Sequence, residues 1–502
     1  MNLTTILIYS VMILFGVGVA SLYRHLIDMY RFEKTYLKKP DIDVRNVLAE
    51  ASRNGGLPYF AIMVPAREEV RVIENTIRRL EQFDYPKYSY EILIITDERE
   101  VLSNPGENTA NVARIVAQEL NEKYHREFIK VGIVPVAFDG YYSGQIDGKN
   151  NRSTKGRALN WGLRQIADNV DMIGVYDADA RIHPHLLKFV ASRRLKLNID
   201  VIQGPVYPVS NYDKVTTIPD FAGLHLAWWH RSSYPRLGKE KDKLQFLAGT
   251  NYFIDKDLIR RIGGWDYEAL TEDAELGLRL YSQEKRFAKW HPYEEIEQSP
   301  KNFRAFFHQR RRWAEGFLQL VPQIRKTKMA KWDRLSILSR IYTAPLIWAF
   351  TEIGPLLGPI LYFTHIYNKI PPSLPLMIYS YALLVGSISY LALYPLMYHK
   401  LYQYIEPKPG RSKRLLQYAK LGVLTIPYWL LQALPEMSAM KRYLLSQKTM
   451  VWEKTERTDE RVPGSKLPDE LAKKVSKDTD SRDNWTRIWR QNQQFHIKRA
   501  SK

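Results

Sequence analysis

The chain has 502 residues, enough for one full catalytic-sized core with a second structural region beside it. Its 74 lysines and arginines against 54 acidic residues give a net charge of +20, which favours anionic partners without choosing among nucleic acid, acidic lipid and a phosphate-bearing substrate. Cysteine is absent, so disulfide frameworks and thiolate metal sites are excluded.

From the amino terminus, Leu3 to Tyr23 is apolar and uncharged, and at about 20 residues it is long enough to span a bilayer. The charges Arg24, Arg31, Lys34, Lys38 and Lys39 follow this run instead of preceding it. That order argues against a cleaved signal peptide and puts the next region on the cytoplasmic side. An N-terminal transmembrane helix is expected over residues 1–24.

From about Pro58 to Gln298 short apolar runs alternate with charged helical stretches. Strands are predicted at Phe60 to Val64, Ile92 to Ile95, Ile133 to Val136, Ile173 to Tyr176 and Val201 to Gln203, with helices at Glu69 to Gln82 and Ala110 to Tyr124. Such alternation predicts an α/β domain with a mostly parallel sheet, here over residues 50–300, whose ligands lie beyond the carboxyl ends of the strands. The strand ends carry acids in series: Arg67-Glu68-Glu69, then Asp97-Glu98, then Asp177-Ala178-Asp179. Any one alone reads equally as a solvated loop or a helix cap, but three in series point to one acidic sheet edge. Two carboxylates one residue apart, Asp177 and Asp179, can share a hard divalent cation that bridges phosphates.

Before that pair, Thr154-Lys155-Gly156-Arg157 puts two cations and a glycine at a helix start, which suits an anion or is simply a basic helix start. After it, Gly249-Thr250-Asn251 closes the apolar run Phe246 to Ala248, and Gly263-Gly264-Trp265 leads to Thr271-Glu272-Asp273. Asp273 at a helix start could act as general base towards an acceptor hydroxyl. It also reads as an acid favoured by the helix dipole, with Thr271 as cap; both can hold together. Gln309, Arg312 and Trp313 lie among Phe303, Phe306, Phe307 and Phe317, an aromatic and basic mix that predicts interfacial helices over residues 301–335.

Three further apolar stretches follow, Ile341 to Tyr367, Leu376 to His399 and Leu421 to Met440, giving an expected C-terminal transmembrane region over residues 340–440. Pro427 and Pro435 make the last of them read as bent or re-entrant, which leaves the basic tail of residues 441–502 cytoplasmic. In that tail Trp485, Ile488 and Trp489, among Arg487 and Arg490, suit an amphipathic surface helix or a disordered charged tail.

Taken in order, these motifs resemble glycosyltransferase family 2, in particular the membrane branch with cellulose, hyaluronan and chitin synthases; the resemblance covers about Pro58 to Trp313. Trp452-Glu453-Lys454-Thr455 also looks like a signature of some members, and Glu68 stands where many members have Asn. The resemblance implies a nucleotide-diphospho-sugar transferase domain of the GT-A, Rossmann-like kind inserted between transmembrane helices. It further implies that Glu69, Asp97, Lys155, Asp177 and Asp179 bind the donor, Asp177 and Asp179 through Mg2+ or Mn2+. Asp273 would be the catalytic base, with Glu272, Gln309, Arg312 and Trp313 at the acceptor and diphosphate end.

The expected enzyme is thus an inverting hexosyltransferase of the cell membrane with a cytoplasmic catalytic domain. Its donor is a nucleotide-sugar, UDP-sugar favoured, and its acceptor a polysaccharide or other glycan; the alternative is one addition to a lipid-linked or glycolipid acceptor. Membrane lipids are expected partners, protein partners are open, and nucleic acid is not expected, because the basic residues flank the apolar stretches and no nucleic-acid motif occurs.

Overall fold

The computed structural model describes residues 42–53, 56–212, 214–232, 246–348, 392–406, 408–445 and 457–460, with isolated positions outside these runs. A seven-stranded sheet runs in the order β3-β2-β1-β4-β8-β6-β9, comprising β1 (Phe60–Pro65), β2 (Tyr90–Asp97), β3 (Ile129–Val134), β4 (Met172–Val175), β6 (Val201–Gln203), β8 (Tyr252–Asp255) and β9 (Lys289–Trp290). β1 pairs in parallel with both β2 and β4, setting Ile62 beside Ile92 and Gly174. Every residue of β2 is buried, as a strand covered on both faces requires, and this is why its sequence is a nearly unbroken apolar run.

One face is covered by α1 (Val44–Arg53), α2 (Ile73–Glu81), α4 (Thr109–Lys123) and α6 (Leu186–Leu197); α3 (Glu98–Ser103) follows β2 at the rim. The other face carries α5 (Lys155–Leu163), α8 (Lys256–Arg261) and α9 (Glu272–Arg279). The α/β expectation is met, with two differences. β3 begins at Ile129, before the predicted Ile133, because it is a partly exposed edge strand whose Lys130 pairs with Glu91 at 2.7 Å, so its sequence lacks an apolar run. β8 is antiparallel to both neighbours and follows Gly249-Thr250-Asn251, whereas the apolar run that caught attention precedes it.

A second, three-stranded sheet joins β5 (Arg181–Ile182), β10 (Glu295–Glu297) and β7 (Val206–Pro208). Behind it lies a helical layer of α7 (Thr217–Ser232), α10 (Phe303–Gln319), α11 (Val321–Lys326), α12 (Lys331–Trp348), α13 (Leu393–Leu401) and α14 (Arg411–Leu444). Aromatic rings bind this layer together; Tyr428 of α14 stacks on Phe221 of α7 with centroids 5.1 Å apart.

Insertion between transmembrane helices is not supported: among the described residues no helix is long and apolar enough to cross a membrane. The stretch Leu421 to Met440 is part of the continuous 34-residue α14, which carries Pro427 and Pro435 within it and is not broken at either. Its packing against α7, α10, α12 and α13 holds the helix through both prolines. Most of Leu3 to Tyr23, the part of Ile341 to Tyr367 beyond Trp348, much of Leu376 to His399, and the tail residues Trp485, Ile488 and Trp489 lie outside the described residues; Ile341 to Trp348 forms the end of α12.

Candidate active site

The carboxyl ends of the parallel strands open into a cavity of about 340 Å³, which all the predicted site residues but Asp179 line. Asp179 stands behind Asp177 with its side chain buried.

One end of the cavity is built by β1 and β2. After β1 the backbone turns through Glu68 in the left-handed region at φ 60°. Buried Glu100 fastens this turn, accepting from the Glu68 N–H at 2.7 Å and from the Thr109 hydroxyl at 2.6 Å, and Thr109 in turn accepts from the Glu69 N–H at 2.7 Å. Asp97 closes β2 and caps α3 through the Arg99 N–H at 2.9 Å, while also accepting from Ser153 at 2.7 Å. Its carboxylate is paired with Arg99 at 3.1 Å and Arg157 at 3.4 Å.

α5 starts where the sequence suggests, and Thr154 caps it, accepting from the Arg157 N–H at 3.2 Å. The two cations of that motif diverge. Arg157 turns into the core, donating to the carbonyls of Pro135, Val136 and Phe138 and pairing with Asp97, so it organises the loop after β3. Lys155 faces the cavity, donating to the Asp177 carboxylate and, at 2.9 Å, to the Gly249 carbonyl.

Asp177 and Asp179 follow β4 in a tight turn closed by the Ala180 N–H to the Asp177 carbonyl at 3.1 Å. Thr250 accepts from the Asp177 N–H at 3.1 Å and donates to buried Glu295 at 2.6 Å; Asp179 accepts from the Gln298 N–H at 2.8 Å. β10 adds a carboxylate that sequence reasoning missed: oxygens of Asp177, Asp179 and Glu297 lie within 4.8 Å of one another. The signal was the alternation Glu295-Ile296-Glu297, which passes for an ordinary charged edge. Burial and the Asp179 and Asp177 charges push Glu297 up to about 8. Burial would raise Asp177 as well, but Lys155 and Arg457 hold it below the ordinary aspartate range. Three hard oxygen donors, with no imidazole or thiolate among them, fit a divalent cation such as Mg2+ or Mn2+.

Asp273 opens α9. The Thr271 cap is not made, for its hydroxyl has no hydrogen-bond partner; Asp273 Oδ1 instead accepts the Ala274 N–H at 2.8 Å. Thr271 is held by contact: a Cβ on Gly316 of α10 would lie 2.5 Å from its methyl, so only glycine lets α10 approach this turn. Gly249, at φ 78°, passes equally close, with a notional Cβ 2.9 Å from Asp273 Oδ2. Burial lifts Asp273 above the ordinary range against the pull of Lys155, and burial with the Asp273 charge lifts Glu272 to about 7. From α10, Gln309, Arg312 and Trp313 reach the cavity; Arg312 donates to the Leu270 carbonyl at 3.3 Å, and Arg310 stacks 4.4 Å over the Trp313 ring.

A last contributor lies far along the chain. Arg457, just beyond the Trp452 to Thr455 signature, which is itself outside the described residues, places its guanidinium 3.0 Å from Asp179.

With this geometry in hand, comparisons with known proteins are informative. Residues 172–398 match the model of glycosyl transferase family group 2. A probable glycosyltransferase of Bacillus subtilis is 29% identical over 282 residues, 54% of this chain and 59% of that protein. A beta-monoglucosyldiacylglycerol synthase of Trichormus variabilis is 26% identical over 326 residues, 61% of this chain and 62% of that protein. The chain thus spans about three-fifths of the length of these curated relatives, 59% and 62%. Among solved structures, a mannosyltransferase of Pyrobaculum calidifontis in complex with GDP-Man and Mn2+ matches 84% of this chain and 99% of its own at 16% identity, with a TM-score of 0.44.

Proposed function

We propose that this chain, which carries a glycosyltransferase family 2 domain with a mixed α/β, GT-A-like fold, performs inverting transfer of a sugar from a nucleotide-diphospho-sugar, a UDP-sugar favoured. The observation that carries this reading is the meeting of Lys155, Asp177, Asp273 and Arg312 around one cavity at the carboxyl edge of the parallel strands. Glu69 and Asp97 line the nucleoside end. A divalent cation held by Asp177 and Asp179, with Glu297 completing the oxygen set, would neutralise the leaving diphosphate. Lys155 and Arg312 face the same charge from two sides.

Asp273 accepts the proton of the acceptor hydroxyl as that oxygen bonds to the anomeric carbon and the bond from that carbon to the diphosphate oxygen breaks. Its raised pKa suits a base, and one displacement inverts the centre. Glu272 steadies the cations beside it, and Gln309 and Trp313 border the acceptor end.

Two observations favour a lipid-linked or glycolipid acceptor over the polysaccharide that the motif order suggests. Several relatives are named beta-monoglucosyldiacylglycerol synthases. In addition, α14 buries Gln417, Thr425 and Gln432 while exposing Leu416, Val423, Leu430 and Met437, an apolar stripe repeating every two turns. A stripe of that kind with Arg411, Lys413, Arg414, Lys441 and Arg442 at the ends of its helix suits a membrane surface, in keeping with a membrane protein whose catalytic domain is cytoplasmic.

The test is nucleoside diphosphate release from a panel of UDP- and GDP-sugars by detergent-purified protein, with and without Mn2+, with diacylglycerol or a soluble glycan as acceptor. Metal-dependent release with one donor and a lipid acceptor, lost in Asp179→Ala, is expected. Release only with the glycan would return the acceptor to polysaccharide, and no release with any donor would remove the transferase reading.

A further inference from the structure

Residues 457–460 are fastened across the acidic rim through Arg457, Thr458 and Glu460. Gln298 clamps Thr458 from both sides, accepting from its N–H at 2.6 Å and its hydroxyl at 2.8 Å and donating to its carbonyl at 3.0 Å. Glu460 pairs with Arg181 at 3.0 Å and Arg79 at 3.7 Å, and its N–H donates to the Arg71 carbonyl at 3.1 Å. Between these anchors the Arg457 guanidinium spans the two aspartates, Nη2 lying 3.0 Å from Asp179 Oδ1 and 4.0 Å from Asp177 Oδ2. A divalent cation would bind these same carboxylates at about 2.0–2.6 Å. Gln298 is also the residue whose N–H holds the other oxygen of Asp179, so one side chain and its backbone fix both the carboxylate and the strap that covers it.

We propose that the strap Arg457–Glu460 is an internal counter-ion for the donor site: in the donor-free protein Arg457 takes the position of the divalent cation between Asp177 and Asp179, and metal with nucleotide binds by moving it aside. This rests on the metal-dependent transferase reading above. The guanidinium and the cation carry like charge and share their ligand oxygens, so each excludes the other. Lys155 holds Asp177, so without the strap it is the buried Asp179 carboxylate that would lose its paired cation, which is costly. The strap therefore preserves the site between turnovers and sets a threshold for metal entry.

The experiment measures Mn2+ binding to the full chain by electron paramagnetic resonance without nucleotide, comparing wild type, Arg457→Gln, Gln298→Ala and Asp179→Ala. Removal of the competing cation in Arg457→Gln should tighten Mn2+ binding by about tenfold or more, as for loss of one bound competitor, and Gln298→Ala should tighten it less. Unchanged or weaker binding in Arg457→Gln, with binding lost in Asp179→Ala, would overturn the strap while leaving the metal reading intact. Absence of Mn2+ binding in wild type and in Arg457→Gln would overturn both.

Because the chain has no cysteine, a spin label on Asp459→Cys reports the strap alone. Its motion should become freer on adding Mg2+ with UDP, and a spectrum unchanged at saturating nucleotide would also overturn the proposal.

Discussion

The sheet domain and the helical layer behind it both bury an apolar core but differ in what they leave outside. In the domain, Ile62, Ile92 and Ile94 are fully buried and charge sits at the rim, the arrangement that water imposes on a folded chain. In the layer, α14 turns Gln417, Thr425 and Gln432 inward and leaves Val423 74% exposed and Leu416 66% exposed. Exposed leucines and a valine along one helix face form a surface suited to an apolar partner. The two regions thus differ at their outer surface, and the cavity lies at the carboxyl edge of the sheet.

The largest expected effect separates chemistry from packing within the domain. Asp273→Asn should lower turnover by about 10²–10⁴-fold, the usual span for a general base, with the thermal melting curve unmoved. A parallel fall in melting temperature would make Asp273 a structural acid.

Next comes packing itself. Ile62→Ala, in the centre of β1, should cost about 2–5 kcal/mol of unfolding free energy, whereas Leu430→Ser on the exposed stripe should stay within about 0.5 kcal/mol in detergent. Urea unfolding followed by circular dichroism checks both, and equal losses would erase the contrast between the two regions. Val423→Ser with Leu430→Ser should instead weaken flotation with anionic lipid vesicles by about tenfold, from the apolar area no longer buried in lipid. Unchanged flotation would assign the stripe to another occupant.

The smallest effect concerns pH. Asp273 must be ionised to accept a proton, and its folded pKa is raised, so activity is present at high pH and falls as pH drops through a limb above the ordinary aspartate range. Lys155 pulls Asp273 and Glu272 down, so Lys155→Met should carry the limb to higher pH in a kcat/KM profile. A limb that stays in place would remove Asp273 as the titrating group.

Much of the domain could be read because burial leaves a plain trace. Strands β1 and β2, covered on both faces, appear as apolar runs, and the acids that end them mark the rim. β3 left only a partial trace, since an edge strand mixes lysine with its apolar residues, and β10, a three-residue strand at the centre of the small sheet with glutamate at both ends, left none, so Glu297 went with it. Asp177, Asp179 and Asp273 stand out in the local pattern, whereas Arg457 reaches the Asp177 and Asp179 pair from 278 positions beyond Asp179, a pairing no local pattern encodes. Thr271 misled because a threonine before two acids has the look of a cap; its place is set instead by Gly316 on another helix.

That contact has a mechanical meaning. α10 presses Gly316 against the turn that carries Asp273, extends Arg312 and Trp313 into the cavity, and is tied on its far side to α14 by Glu315 and Arg442 at 2.9 Å. It works as a strut between two loads. A displacement of α14 passes to α10 through that ion pair and reaches the Asp273 turn through Gly316, so the packing of the helical layer and the placing of that carboxylate are coupled.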